Sequence, residues 1–188
     1  MLSVYPVPGG STGHAVGGGI IAIVIGPWAA IIAISVTLVL QAMIFGDGGI
    51  TAIATNCFNM GVIVPFVAYY AYKLISGNSE ITSSTRVIAA AIAGWISLTV
   101  AALCTGFELG IQPILEHTAE GVPFYMPYTW SVTVPAMVLE HALAFSILEA
   151  LITAVIFAYI QRTDTSVFYG EKSEAEINRT EIMNGVTI

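Results

Sequence analysis

The sequence predicts an all-α fold, a polytopic bundle of transmembrane helices, and three observations carry that expectation. Of its 188 residues, 56% are hydrophobic and only 9% charged, too little polar surface to cover a water-soluble globule of this size. Four apolar stretches each reach or exceed the roughly 20 residues that cross a hydrocarbon core of about 30 Å. The five Lys and Arg residues lie at or beyond the ends of those stretches.

The elements follow in order. Residues 15–25 form an apolar piece too short to span by itself, expected as a short helix buried among the others. Four long spans come next, at Pro27–Phe45, 50–75, 85–105 and 132–160. The first residues carry no basic cluster and no apolar core ahead of a small-residue cleavage site, so a cleaved signal peptide is not expected. From Asp164 onward the chain is polar, with five acidic and two basic residues. We therefore expect a transmembrane domain over 1–162 and a polar cytoplasmic tail over 163–188.

Orientation follows from the cations, because Lys and Arg accumulate in cytoplasmic loops close to helix ends. Lys73 and Arg86 bracket the polar link 76–85, and Arg162, Lys172 and Arg179 follow the last span. All five are cytoplasmic if the third span runs outward and the fourth inward. Segments 46–49 and 106–130 are then external, and so is the glycine-rich run that precedes the short helix. Asp47, Glu116 and Glu120 give that outer face a mild attraction for cations.

That run, Gly9-Gly10-Ser11-Thr12-Gly13-His14-Ala15-Val16-Gly17-Gly18-Gly19, is the strongest chemical signal. A neutral imidazole is the commonest metal ligand among side chains, and flanking glycines let backbone approach a bound ion closely. His14 is thus the candidate metal ligand, with Ser11 and Thr12 placed to orient its ring. The rival readings of the glycines fail on context. No strand-and-acid pattern supports a dinucleotide fingerprint, and no Lys follows to make a phosphate loop, whereas close helix packing remains open. His117 sits in a solvated outer loop. His141 and Glu149, on one face of the last span, are expected as a structural polar pair that locks helices together. Asn56, Asn59 and Glu108, near the outer ends of spans, are candidates to support a ligand from behind or to satisfy buried backbone. Cys57 and Cys104 show no CxxC spacing and read as packed thiols. Nitrogen donors suit nickel, cobalt or copper better than magnesium or calcium.

Residues 6–18, Pro-Val-Pro-Gly-Gly-Ser-Thr-Gly-His-Ala-Val-Gly-Gly, resemble the signature loop of the CbiM/NikM family, the substrate-binding membrane components of energy-coupling-factor transporters for cobalt and nickel. The resemblance continues through Gly26-Pro27-Trp28, Gln41-Ala42, Phe45-Gly46-Asp47-Gly48-Gly49-Ile50, Asn56-Cys57-Phe58-Asn59-Met60, Pro65-Phe66, Glu108-Leu109-Gly110 and Val134-Pro135-Ala136-Met137, nearly the whole chain up to Arg162. In that family the ion is held by four nitrogens: the N-terminal amine, the backbone and ring nitrogens of a second-position histidine, and the histidine of the glycine-rich loop. Only the last maps here, onto His14, since this chain begins Met1-Leu2. By the same resemblance residues 1–8 match the end of the family's second helix and its exit. Two more N-terminal helices are then implied, roughly 50 to 60 residues by membrane thickness. A form carrying one donor of four is expected to bind metal weakly.

The resemblance implies a substrate-specific subunit of an ABC-type uptake system for Ni2+ or Co2+, capturing the ion at the outer face. It would reside in a prokaryotic cell membrane with its C-terminus cytoplasmic. The implied partners are a transmembrane coupling component, cytoplasmic ATPase subunits, a small accessory membrane subunit and membrane lipid, with no nucleic acid. The chain itself is expected to be no enzyme and to hold no resident cofactor, since ATP hydrolysis falls to the partners. Two rivals from other classes are an intramembrane hydrolase using Ser11 or Thr12, and a passive cation channel. The HExxH pattern is absent and no second histidine is placed beside Ser11. No charged rings or filter loop mark a channel.

Overall fold

A computed structural model describes residues 2–7 and 11–170, with residues 2–7, 11, 12 and 14 given by their backbone alone. Gly9, Gly10, Lys172 and Arg179 lie outside the described residues. The fold is an all-α polytopic bundle with one short antiparallel hairpin at its N-terminal edge, β1 (Leu2–Val7) and β2 (Ser11–Ala15). A short helix α1 (Gly18–Ile25) follows. Four helices long and apolar enough to cross a membrane complete it: α2 (Pro27–Phe45), α3 (Ile50–Ser76), α4 (Ser84–Leu115) and α5 (Trp130–Thr163).

Three elements depart from the sequence reading, each for a physical reason. Residues 2–7, matched by resemblance to a helix end, are extended. Pro6 and Pro8 push the preceding Tyr5 and Val7 out of the helical region, and Val4 favours a strand. Helix α4 continues ten residues past Thr105, through a segment read as outer loop. Glycines and a carboxylate interrupt the hydropathy there, but they are packed and hydrogen-bonded rather than solvated, as described below. Finally, the first residues after α5 fold back. Phe168 is buried and stacks on Phe157 with ring centroids 4.5 Å apart, so packing extends beyond residue 163 into the polar tail. Asp164 caps that turn by accepting from the Ser166 hydroxyl and amide, which hold its carboxyl below the usual range.

Helix α3 contains a π-helical segment at Cys57–Ile63, just ahead of Pro65. A proline inside a helix has no N–H for the preceding turn, and a widened turn accommodates its ring. A second widened turn, His141–Phe145, lies within α5. The core is built mainly from small residues. Ala89, Ala90 and Ala93 of α4 are fully buried against Ile20 and Ile23 of α1 and Phe157 of α5. Helix α2 shows how the bundle meets lipid. Ala30, Ile34, Leu38 and Ala42 face inward, while Trp28, Ile32, Val36 and Leu40 remain exposed, one apolar face for the core and one for hydrocarbon.

The two ends differ in chemistry. At one end Lys73, Arg86 and Arg162 gather, and Arg86 donates through Nε and Nη2 to the Ser79 carbonyl and through Nη1 to the Tyr72 hydroxyl. At the other end lie the glycine loop 46–49 and the long link between α4 and α5. A Gly106-Phe107-Glu108-Leu109-Gly110 stripe near that end lets α4 and α5 cross closely. Thr133 donates to the Gly106 carbonyl at 2.7 Å, and a Cβ on Gly106 would come within 2.8 Å of the Val134 Cα.

Candidate metal centre

The strand that carries His14 is held by β1, by the 141–145 turn of α5 and by the cluster around Ala15. In the hairpin, Ser3 pairs with His14 and Pro6 with Thr12, with the register shifted between Ser3 and Pro6. The side chains of Ser11, Thr12 and His14 lie outside the described residues, so the site is built from their backbone and from what surrounds it. Strand β2 packs on the widened turn His141–Phe145 of α5. Gly13 lies against the Phe145 ring so closely that a Cβ would overlap it. Ala15 is buried with Val64, Leu98, Ala101 and Phe145, which pins the strand's far end. Gly13→Ala is therefore expected to destabilise the protein by about 1–3 kcal/mol, the usual cost of over-packing, measured by chemical unfolding in detergent.

Glu149 of α5 is fully buried and holds the backbone that leaves β2. Its Oε2 accepts from Val16 N–H at 3.1 Å and Gly17 N–H at 2.9 Å, and its Oε1 from Gly19 N–H at 3.2 Å. Val16 and Gly17 lead into α1 and Gly19 lies in its first turn, where the N–H groups have no intrahelical acceptor and favour a negative partner. Gly17 supports the geometry with φ at 71°, a left-handed conformation that glycine adopts without penalty.

At the glycine-loop end a cavity of about 490 Å³ opens among α3, α4 and α5, with Asp47, Asn56, Asn59, Thr105, Met137 and His141 on its wall. Asn59 Nδ2 donates to Glu108 Oε2 at 2.6 Å, joining α3 to α4. Asn59 Oδ1 is buried with no hydrogen-bond partner among the described residues. Asn56 Nδ2 donates to the Gly48 carbonyl at 3.1 Å, and Gln41 Nε2 to Asp47 Oδ2 at 2.8 Å, so the loop 46–49 is braced from two helices. His141 Nδ1 lies 2.9 Å from the Met137 carbonyl. A carbonyl only accepts, so Nδ1 carries the proton of this contact.

Among the residues singled out from sequence, the fold brings Asn59 and Glu108 into contact and puts Asn56, Asn59 and His141 around one cavity. It keeps His141 and Glu149 on separate tasks: the former bonds within its own helix, the latter holds the backbone two to five residues after His14. His117 is exposed in the link between α4 and α5. Cys57 and Cys104 are free thiols, half-buried. Sequence reasoning missed the thioether of Met137 on the cavity wall and the backbone amides as the partners of Glu149. Among the described residues no three His, Cys, Asp or Glu side chains form a metal-holding cluster.

A family model, the cobalt uptake substrate-specific transmembrane region CbiM, matches residues 1–167. The chain belongs to the CbiM family. Its relatives include a probable fused nickel transport protein of Lactiplantibacillus plantarum, 45% identical over 90% of this chain and 50% of the relative. A fused nickel transport protein of Rhodobacter capsulatus is likewise 45% identical, over 95% of this chain and 52% of the relative. This CbiM-family chain thus spans about half the length of these relatives. A crystal structure described as a transition metal transporter superposes with a TM-score of 0.80 at 40% identity, covering 97% of this chain and 75% of that one.

Proposed function

We propose that this CbiM-family chain is the substrate-specific membrane component of an uptake system for Ni2+ or Co2+, capturing the ion at the outer face of a prokaryotic cell membrane through His14. The observation that carries the reading is the placement of the His14 strand, locked by Gly13, Ala15 and Glu149 beside the widened turn of α5. Rigid backbone around a ligand holds its nitrogen in a productive geometry. The positive-inside pattern supports the orientation: Lys73, Arg86 and Arg162 share one end, which would face the cytoplasm together with the C-terminus. Ser11 and Thr12 precede His14 on the same strand. Asn56, Asn59 and Glu108 brace the helices and loop around the cavity, and Asn59 Oδ1 offers a neutral oxygen to a hydrated cation.

Energy for inward release comes, in this proposal, from a transmembrane coupling component and cytoplasmic ATPase subunits, with a small accessory membrane subunit as a further partner. The chain is a transport component rather than an enzyme. The test is accumulation of radioactive nickel and cobalt in cells expressing the subunit with and without ATPase partners. Uptake that requires the ATPases and stops when they are inactivated supports the proposal. Equal uptake in their absence would instead make the protein a passive cation channel.

A further inference from the structure

Glu149 lies 135 residues along the chain from His14, yet it bonds the backbone that follows it. Three N–H groups, of Val16, Gly17 and Gly19, converge on one wholly buried carboxylate at 2.9 to 3.2 Å. Close packing leaves that anchor little play. A Cβ on Gly19 would sit 3.3 Å from the Gly94 Cα and 3.6 Å from Glu149 Oε1, so α1 is wedged between α4 and α5 at this point. Just before the anchored amides, Ala15 is buried and Gly13 abuts Phe145, one turn of α5 away from Glu149. The residue between those two fixed points is His14.

We propose that Glu149 is a positioning residue for metal capture: its carboxylate sets the backbone of residues 15–19, and through it the place of His14 relative to α5. This inference rests on the reading of His14 as a metal ligand. Groups that orient a ligand without touching the metal are worth about 10- to 100-fold in metal affinity. Glu149→Gln keeps the length but replaces one acceptor with an NH2 facing amide donors. Glu149→Asp keeps the charge but falls short by one methylene. Both leave amides unsatisfied in a buried place.

Purified protein in detergent is titrated with nickel chloride well below the unfolding temperature of every variant. Amide hydrogen exchange of the peptide spanning residues 15–20 is followed without metal. Glu140→Gln, which removes a carboxylate from the same helix, is the control. The expected result is faster exchange in both Glu149 variants and an apparent nickel Kd raised about 10- to 100-fold, with the control at the wild-type value. Unchanged exchange in Glu149→Gln overturns the anchor. Faster exchange with an unchanged Kd overturns the positioning role while leaving metal capture standing. Equal weakening in Glu140→Gln also overturns it, since bulk charge then accounts for the effect. If wild type shows no nickel or cobalt binding while exchange still rises in the variants, the anchor is real and the metal reading is what fails, taking the positioning role with it.

Discussion

His14→Ala is expected to lower nickel and cobalt accumulation at least about 100-fold, to the level of cells without the subunit. Losing a group that merely orients a ligand costs up to about 100-fold in affinity, and removal of a ligating nitrogen should cost no less. The strand is held by backbone pairing with β1, by Gly13 and Ala15, and by the Glu149 anchor beyond it. Membrane protein levels, checked by immunoblot, should therefore match wild type. Accumulation that persisted at normal protein levels would remove His14 from the transport step.

The largest effect on folding is expected at the crossing of α4 and α5. A Cβ on Gly110 would fall against the Trp130 ring, within 2.6 Å of Thr133 Oγ1 and 2.7 Å of the Trp130 backbone nitrogen. A Cβ on Gly106 would meet the backbone of Thr133 and Val134. Flexible side chains can swing away from an added methyl, but backbone cannot. Gly106→Val and Gly110→Val should each destabilise the protein by about 3 kcal/mol, the upper end of over-packing costs. They would also sever the Thr133 to Gly106 hydrogen bond and the Trp130 Nε1 donation to the Phe107 carbonyl. Gly121→Ala in the exposed link between α4 and α5 serves as the reference, its Cβ meeting nothing within 4 Å though its φ is 82°. Unfolding of the three variants in detergent, followed by circular dichroism, checks the ranking; equal stabilities would refute the close crossing.

Much of the architecture was legible because hydropathy in a membrane has one simple meaning. Pro27–Phe45 was readable to the residue, since a proline opens α2 and Gly46 closes it. The C-terminal end of α4 was not. Glu108, Gly106, Gly110 and Pro113 each lower the local apolar signal, and only tertiary contacts explain why helix continues through them. Asn59 meets Glu108, and the glycines meet α5. The site was legible in part for a similar reason. A histidine in a glycine-rich run announces itself, whereas the partners of Glu149 are backbone amides that carry no residue-type signature. Its role becomes visible only once α1 and α5 are placed side by side. The extended conformation of residues 2–7 was encoded by its prolines, but the resemblance to a helical segment outweighed them.

The bond between Glu149 and the amides after His14 joins positions separated by 130 to 133 residues. A ribosome delivers the amino-terminal strand first and the last span long afterwards, and contacts between distant parts of a chain close late. The segment around residue 14 therefore has to wait, already at the membrane, until α5 has been inserted. A nascent chain interrupted before α5 would present residues 16–19 without the carboxylate that holds their amides, so this stretch takes its final shape only once α5 is in place.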